Sequence, residues 1–504
     1  MTLSDRTKYY IAETICLLYI LLFIYASASK LMDFQHFRIQ LGQSPLLSAF
    51  AEQIAVIVPV SEIIICVLLL FPRYKASGLF AAYGLMVMFT AYIFIILNYT
   101  AFVPCSCGGV LEKLGWQSHL VFNLFFVFLA VLGIILYKNS GTQKFHAVNN
   151  KKLTALFSAI TISSISVVVV MFIFSEKIIH YHNRLTRRFP QTPIEKVNGK
   201  DLKLNSFYIA GADSFHIFLG NSTAPLLITT LNTHLTITGQ KMIELNRKNL
   251  PFRGIRLSVR SPYFFAADGS VPCVFRGRIE NWKAELAYKG GEYFTTTQAL
   301  DSVSVAVVAN NSRTGDNVLG IINVGEKKNT ILNPSILQKQ FDGVFDTDGH
   351  LLYSSGLDKI VYLYYYRNQF TIADKGLKII GRGTTIDTIS RAKLNIAKDK
   401  KHQQRKFSTP PLYVNKNSAV YKNLLFVNSA IPGRFEEDRI WEEASIIDVY
   451  NLNDKSYLLS FCIYHLNGRK MKSFIVQNDN LYVLIGTQII RYKIGTKITS
   501  KYTK

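Results

Sequence analysis

A Cys-x-Cys pair followed by two glycines is the stretch of this sequence with the clearest chemical potential. Cys105 and Cys107 belong to the segment Pro-Cys-Ser-Cys-Gly-Gly at 104–109, and the other four cysteines of the chain are solitary. Two neighbouring thiols can form a disulfide and pass it to a partner by thiolate exchange. A disulfide across a single intervening residue closes a strained ring and is therefore readily reduced. The two glycines let a partner approach the backbone closely.

Two other interpretations of the cysteine pair stay open. The pair can be a permanent structural disulfide, which the predicted location outside the cytoplasm permits. It can also contribute to a metal site, but zinc normally takes four protein ligands and only His119 follows nearby. The residues themselves favour a redox pair and predict no metal.

Two polar residues open the next apolar stretch. His119 and Asn123 are four residues apart and therefore share one face of a helix. Trp116, just ahead of them, is typical of an anchor at the membrane surface. His119 can give or take a proton beside the thiols, or it is simply a polar residue at the interface.

Ionisable residues also lie within or at the ends of the other apolar stretches. Glu62 follows Pro59 inside the second stretch. A charged group at that depth costs free energy, so Glu62 is by default a candidate functional residue. Lys30 ends the first stretch, and it can pair with Glu62 if the helices bring the two together. The alternative is that Glu62 is a paired packing residue. Glu13 is expected to reach water near the inner end of the first stretch.

Long apolar runs concentrate in the first 175 residues and predict the helices that position these groups. Five runs are long enough to span a bilayer, at 10–29, 54–71, 77–97, 119–137 and 153–174. The sequence Ala-Ser-Ala at 26–28 resembles a signal-peptidase site, so a cleaved signal is the alternative for the first run. Its length and the spans that follow favour a retained anchor. Cys16 and Cys66, inside these spans, are expected to be apolar fillers.

Lysine and arginine in the short loops predict the orientation. With the N-terminus inside, the inner segments hold eight of these residues and the outer loops hold three. This bias predicts a cytoplasmic N-terminus. The Cys pair and everything after the fifth span then lie on the periplasmic side of a bacterial inner membrane.

From about Asn198 the pattern changes to short β-branched or alternating runs bounded by Gly, Asn and Asp. Irregularly spaced similar pieces predict a degenerate β-propeller of about six blades. The fold class is therefore a membrane α-helical bundle followed by an all-β domain, with boundaries at 1–140 (four spans), 141–180 (a connecting loop and the fifth span) and 181–504. Predicted strands are 206–210, 215–219, 226–230, 255–259, 303–308, 318–322, 360–365, 423–427, 456–463 and 481–485.

The charge of +24 lies mostly in the second part of the chain. A basic surface can bind anionic lipid or acidic polymers, but scattered lysines account for it without such a partner, and no nucleic-acid partner is expected. The basic stretch 391–406 is expected to be a solvated loop between blades or a patch for an anionic partner. Cys273 and Cys462 can form a bridge between distant strands. No nucleophile elbow, P-loop or zinc-binding histidine pair is present, so the β-rich domain is expected to bind rather than catalyse.

The first four spans resemble the MauE branch of the MauE/DoxX membrane family over about residues 8–138. The resemblance rests on four pieces: Ala-Ser-Ala-Ser-Lys-Leu-Met-Asp-Phe at 26–34, Pro-Val-Ser-Glu at 59–62, Phe-Pro-Arg at 71–73 and the Cys-x-Cys segment at 104–109. It implies a four-helix membrane bundle associated with thiol redox chemistry. MauE itself is linked to methylamine metabolism, where it helps to mature a disulfide-rich secreted subunit. DoxX members are linked to electron transfer to quinones. The fifth span and the β-rich domain depart from that pattern, so a different client is expected.

Two functional hypotheses follow, with a weaker third. In the first, Cys105 and Cys107 cycle between dithiol and disulfide, exchanging with a thioredoxin-like partner or a secreted client and with a membrane quinone, while Glu62, Lys30 and His119 relay protons. In the second, the protein is a non-enzymatic receptor or scaffold whose Cys pair is structural. A transporter-like bundle built around Glu62 is the third.

Overall fold

The computed structural model describes residues 4–44, 46–100, 115–139, 149–247, 249–325, 329–399 and 404–503. They form two compact units. One is helical and comprises the chain up to Gln191 together with the short segment Arg434–Glu436, and the other is all-β and comprises the remainder.

The helical unit confirms the predicted spans. Within the described ranges, five helices are long and apolar enough to cross a membrane, and each contains most of one predicted span. A sixth, shorter helix was not predicted and follows the first after Asp33, whose side chain accepts a hydrogen bond from the His36 backbone N–H. The helices are α1 (Asp5–Met32), α2 (Phe34–Gln43), α3 (Ala51–Leu70), α4 (Lys75–Tyr99), α5 (Trp116–Lys138) and α6 (Asn150–Tyr181).

Packing in this unit runs through small residues and a shared apolar core. A Cβ atom added to Gly133 of α5 would lie 3.1 Å from Ile15 of α1, so the glycine lets the two helices approach closely. The Tyr19 hydroxyl of α1 donates to the Phe126 carbonyl of α5 at 2.5 Å. These contacts pair the early part of α1 with the late part of α5, which makes the two helices antiparallel. Helix α4 is the most buried span and α6 the least buried.

The second unit is a six-bladed β-propeller. Its strands form six antiparallel sheets of four strands each, one of which gains a short parallel fifth strand. The first strand of each sheet packs against the first strand of the next, and the last of these returns to the first, so the ring is closed. The predicted strands all coincide with observed ones.

The strands in chain order are β1 (Ile194–Asp201), β2 (Phe207–Ala212), β3 (His216–Asn221), β4 (Leu227–Asn232), β5 (Ile237–Met242), β6 (Glu244–Leu245), β7 (Arg256–Arg260), β8 (Tyr263–Asp268), β9 (Cys273–Arg278), β10 (Lys283–Lys289), β11 (Phe294–Ala299), β12 (Ser304–Asn310), β13 (Asn317–Asn323), β14 (Asn329–Asn333), β15 (Gly349–Ser354), β16 (Lys359–Tyr364), β17 (Gln369–Ala373), β18 (Ile379–Thr384), β19 (Ile396–Asp399), β20 (Gln404–Phe407), β21 (Asn415–Tyr421), β22 (Leu424–Ser429), β23 (Ala444–Asn451), β24 (Tyr457–Tyr464), β25 (Met471–Gln477), β26 (Asn480–Ile485) and β27 (Gln488–Ile494). Two short helices, α7 (Asp438–Glu443) and α8 (Thr496–Thr499), complete the described chain.

The last blade is completed by the first strand of the propeller. Strand β1 pairs antiparallel with β27, from Ile194 opposite Ile494 to Asp201 opposite Gln488. The sixth sheet therefore combines both ends of the propeller sequence. This pairing closes the ring with main-chain hydrogen bonds and covers a sheet edge.

The stretch 391–406 is not the simple loop that its charges predicted. Residues 396–399 pair with 404–407 as the antiparallel strands β19 and β20. The Phe407 side chain anchors this hairpin, because its ring packs against Phe345 with centroids 4.4 Å apart and also contacts Tyr366. Phe407 directly follows the basic stretch, and its packing holds the hairpin in place although the charges alone favour a solvated loop.

Candidate functional site

An ion pair between α1 and α3 forms the centre of the candidate site. Lys30 Nζ lies 2.5 Å from Glu62 Oε1, and the Glu62 side chain is 1% exposed. Helix α3 runs antiparallel to α1 beside this pair. Further along the same two helices, the Cys66 thiol lies 3.7 Å from the Ile20 carbonyl. The structure thus brings together two residues that are 32 positions apart, as the sequence suggested.

Glu62 lies on the protected face of α3. Ala55, Pro59, Cys66 and Leu69 share that face and are also buried, at the spacing of successive helical turns. Pro59 stands three residues before Glu62, inside the helix. The carboxylate is therefore held inside the bundle rather than at its lipid-facing surface.

Three buried polar atoms at this site have no hydrogen-bond partner among the residues that the structure describes. They are the second carboxylate oxygen of Glu62 (Oε2), Nδ1 of His119 and Nδ2 of Asn123. Asn123 is 2% exposed. Buried polar groups are nearly always hydrogen-bonded, so each exception calls for an explanation.

All three residues line one large cavity. Its volume is about 1300 Å³, and its polar lining consists of Lys30, Glu62, His119 and Asn123 together with the hydroxyl-bearing Tyr25, Ser29, Ser61 and Tyr92. The rest of the wall is mostly aliphatic and aromatic, with Trp116 beside the polar residues. The atoms without partners thus belong to residues that line a space large enough for a ligand.

Two aromatic rings lie near the Lys30 ammonium group. Its Nζ lies 5.9 Å from the ring centroids of both Phe37 in α2 and Phe89 in α4. At this distance the rings contribute a weak attraction. Glu62, at 2.5 Å, is therefore the closest charged partner of the Lys30 ammonium group.

A second ion pair lies at the opposite end of the bundle. Lys75, at the start of α4, contacts the Glu13 carboxylate of α1. Nearby, the Tyr137 hydroxyl donates to the Pro72 carbonyl at 3.2 Å. Glu13 is partly exposed, at 25% of its side chain, but it also pairs with Lys75 because α1 and α4 run parallel. Neither Glu13 nor Lys75 lines the cavity.

Cys105 and Cys107 lie outside the described residues. The described chain stops at Thr100, just after α4, and resumes at Gly115, which caps the start of α5. These flanking residues belong to the end of the bundle that carries Lys30 and His119, since α4 runs parallel to α1 and α5 runs antiparallel to it. Cys16 and Cys66 are buried thiols within the helices.

Burial shifts the pKa of two titratable groups in the propeller. Burial raises the pKa of Asp348 to about 6, while Asn317 donates to its carboxylate at 3.3 Å. Burial also lowers the pKa of His350 to about 4. Within the described ranges, no three His, Cys, Asp or Glu residues are grouped as a metal site.

No disulfide joins Cys273 to Cys462. Cys273 begins β9 in the second sheet, and Cys462 is in β24 of the fifth sheet. The bridge considered from the sequence is therefore absent. Burial raises the pKa of the Cys273 thiol to about 11, so this cysteine is an inert packing residue.

Sequence reasoning missed the cavity and the Glu13–Lys75 pair. The pair had a signal, since Glu13 and Lys75 were both expected near the inner membrane surface and carry opposite charges. No sequence signal indicated the cavity, because most of its wall consists of leucine, isoleucine and phenylalanine side chains that any membrane bundle contains. Asn123 was noticed only as a neighbour of His119.

Comparisons with known proteins agree with this division into two parts. Residues 8–136 match the family described as methylamine utilisation protein MauE. No curated protein sequence matches the chain. The chain therefore combines a region that matches the MauE family with a six-bladed β-propeller.

Solved structures resemble the chain at low scores. A catalytically inactive virginiamycin B lyase from Staphylococcus aureus with quinupristin is 8% identical, with a TM-score of 0.37 over 59% of this chain and 99% of that chain. A protein of the duf4221 family from Bacteroides vulgatus is 10% identical, with a TM-score of 0.38 over 60% of this chain and 98% of that chain. Hsv2 from Kluyveromyces lactis is 12% identical, with a TM-score of 0.32 over 62% and 78%.

Proposed function

We propose that this multi-pass membrane protein exchanges disulfides with a client protein at the outer face of the membrane, using Cys105 and Cys107 as its redox pair. One observation carries the proposal. The residues that flank the cysteine segment, Thr100 and Gly115, belong to the end of the bundle that holds Lys30 and His119. The match of residues 8–136 to the MauE family supports the same context.

The described polar residues supply what thiol exchange needs. The attacking species is a thiolate, so a proton must leave a thiol in each cycle. Glu62 has a carboxylate oxygen without a partner in the described chain, and His119 has a ring nitrogen in the same condition. We assign both as proton acceptors and donors, and Lys30 as the group that positions Glu62.

The reaction balances as two exchanges. A client dithiol attacks the Cys105–Cys107 disulfide, so the client gains an S–S bond and the protein keeps two thiols. Reoxidation of those thiols passes two electrons and two protons to an acceptor within the membrane. A lipid-soluble quinone is the class of acceptor that the resemblance to DoxX members implies.

The proposed orientation follows the loop charges. With eight lysines and arginines inside and three outside, the N-terminus is cytoplasmic. The cysteine segment and the propeller then face the periplasm, where disulfides form. The propeller presents or recognises the client, which is a thioredoxin-like protein or a secreted protein with a cysteine pair.

Thiol trapping in intact cells tests this function. A membrane-impermeant, mass-adding reagent is applied with and without prior reduction to the wild type, Cys105→Ser, Cys107→Ser and the control Cys66→Ser. We expect the pair to be reachable from outside and present in both redox forms. Either serine variant should abolish client oxidation, whereas Cys66→Ser, a buried thiol in α3, should leave it unchanged.

Three outcomes would contradict the proposal. A pair that is permanently oxidised and inert favours the receptor or scaffold alternative. Labelling that requires cell lysis reverses the orientation. Normal client disulfides in both serine variants remove the redox role.

A further inference from the structure

We infer that one mouth of the propeller's central channel binds an acidic peptide segment through Arg256, Lys416, Lys470 and Lys472. The inference deepens the proposed function, and it rests on that function where it identifies the segment as part of the client protein. Its physical basis lies entirely within the β-propeller. Strand direction, clustered charge and preoriented donors each restrict the ligand.

The first strands of the six sheets surround the channel. These strands contact one another around the ring and are β2, β7, β11, β15, β21 and β25. Four antiparallel strands bring the chain back to the end of the sheet at which it began, and in the sixth sheet the returning strand is β1, which leads into β2. All six inner strands therefore begin at the same end of the channel, and their first residues surround one opening, the channel mouth.

Four cations lie at the channel mouth. Arg256 is the first residue of β7, and Lys416 is the second residue of β21. Lys470 directly precedes β25, and Lys472 is its second residue. All four residues are exposed. Since the second and fifth sheets are opposite each other in a ring of six, a ligand that contacts both Arg256 and Lys416 spans the mouth.

These cations are close enough to influence one another. Partial burial lowers the pKa of Lys416, and the neighbouring Lys470 lowers it further. Partial burial and the neighbouring Arg256 have the same effect on the pKa of Lys472. Among the described residues no carboxylate forms an ion pair with any of the four, whereas Lys375, elsewhere in the propeller, pairs with two aspartates. Like charges that are held together without a counterion attract an anion.

Tyr208 of β2 holds the Arg256 side chain in place. The guanidinium carbon lies 4.6 Å from the centroid of the Tyr208 ring, and the Tyr208 hydroxyl accepts a hydrogen bond from the Leu257 backbone N–H at 2.9 Å. Stacking occupies the face of the guanidinium group and leaves the N–H groups along its edge available. Those N–H groups match the two oxygens of a carboxylate.

The backbone at the start of β2 orients Lys472. Its ammonium group donates to the carbonyls of Asn205 at 2.7 Å and Phe207 at 2.9 Å. An ammonium group has three N–H donors, so one remains for a ligand. Because both carbonyls belong to the segment that leads to Tyr208, Lys472 and Arg256 flank the same part of the mouth.

Tyr365 supplies a neutral donor between the starts of β15 and β21. Its backbone N–H donates to the Asp348 carbonyl, and its own carbonyl accepts from the N–H groups of Val414 and Asn415. Its ring packs edge-on against His350, with centroids 4.9 Å apart. Burial raises the pKa of Tyr365, so its hydroxyl stays protonated and can donate to a carboxylate.

The distribution of charge around the mouth favours an extended ligand. Carboxylates precede the inner strands of the third and fourth sheets, where Glu292 lies two residues before β11 and Asp348 directly precedes β15. The cations belong to the second, fifth and sixth sheets. A peptide with several acidic side chains can reach cations on both sides of the opening, while its backbone packs against Tyr208 and Tyr365. Clusters of basic side chains recognise acidic motifs in this way.

Peptide binding to the full-length protein tests the inference without using the cysteines. A fluorescein-labelled poly-glutamate peptide is titrated with the purified protein in a non-ionic detergent, and fluorescence anisotropy gives the Kd. We expect saturable binding that weakens as the salt concentration rises, because salt screens exposed charges. A poly-lysine peptide of the same length should not bind.

Matched variants locate the peptide. Arg256→Gln with Lys416→Gln should raise the Kd about tenfold, because two charge-assisted contacts are lost. The control, Lys196→Gln with Lys200→Gln, removes the same charge from exposed positions on β1, the outer strand of the sixth sheet. This control should bind as the wild type does.

The test separates this inference from the redox proposal. The double variant Cys105→Ser with Cys107→Ser should bind the peptide with the wild-type Kd. Conversely, the Arg256→Gln with Lys416→Gln variant should keep the wild-type pattern of thiol labelling in intact cells. Failure of the redox proposal and failure of this inference therefore give different results.

Several results would overturn the inference. Absence of saturable peptide binding by the wild type removes the site. An unchanged Kd in the Arg256→Gln with Lys416→Gln variant, with a wild-type profile in size-exclusion chromatography, places the peptide elsewhere. An equal loss in the β1 control shows a general effect of charge. Displacement of the peptide by short-chain phosphatidylglycerol at lower concentrations than unlabelled poly-glutamate requires shows that the mouth prefers a lipid head.

Discussion

The two ends of the helical unit carry the same kind of interaction with different surroundings. At one end Lys75 contacts Glu13, and at the other Lys30 contacts Glu62. Both pairs fasten α1 to a neighbouring span. Of the two pairs, only Lys30–Glu62 lines the cavity, and only Glu62 has a buried carboxylate oxygen without a partner in the described chain.

We propose that this difference separates a structural charge from a functional one in this bundle. An ionisable residue within a membrane span is by default a candidate functional residue. That rule alone applies equally to Glu13 and Glu62. The surroundings distinguish them. At Glu13 the pairing ties two parallel helices together, whereas Glu62 lines a cavity and keeps one buried carboxylate oxygen without a partner in the described chain.

The largest expected effect comes from removing one lysine at each end. Lys30→Met leaves a carboxylate that is 1% exposed without its cation, and the free energy of unfolding should fall by about 3–5 kcal/mol. Lys75→Met leaves Glu13, whose side chain is 25% exposed, so the loss should be no more than about 1 kcal/mol. Unfolding in detergent micelles measures both, and equal losses would mean that the two ends are energetically alike.

A double substitution at each end separates stability from function. Lys30→Met with Glu62→Leu removes both charges and should recover most of the stability, yet client oxidation should fall about 100-fold because the proton relay is gone. Glu13→Leu with Lys75→Met should keep normal oxidation rates. The assay is the rate of client disulfide formation in membranes. A similar loss in both double variants would assign a proton-transfer role to the Glu13 end as well.

The smallest expected effect is at Tyr137. Tyr137→Phe removes the hydrogen bond from its hydroxyl to the Pro72 carbonyl, which should lower the free energy of unfolding by about 1 kcal/mol. Client oxidation should stay at the wild-type rate, because Tyr137 does not line the cavity. Thermal unfolding and the rate of client disulfide formation in membranes check the two parts. A changed oxidation rate would show that the two ends are coupled.

Much of the fold could be predicted because its signals are local. Length and apolarity predicted the five spans, and alternation bounded by turn residues predicted propeller strands such as β12 and β26. Non-local features could not be predicted. The pairing of β1 with β27 joins residues almost 300 positions apart, and the sequence of neither strand indicates the strand with which it pairs. The hairpin within the basic stretch 391–406 was not predicted, because the packing of Phe407 against Phe345 is a tertiary contact.

The sequence alone determined which groups are available to this protein: a Cys-x-Cys segment, Glu62 within a span, Lys30 at the end of another, and His119 with Asn123 on one helical face. Residue type and helical period decide those facts, and both are local. The tertiary structure alone decided that Lys30 neutralises Glu62, that Lys75 does the same for Glu13, and that a cavity lies beside only the first pair. Such facts depend on how helices far apart in the sequence pack together, and apolar side chains that look alike in the sequence either fill a space or leave it open.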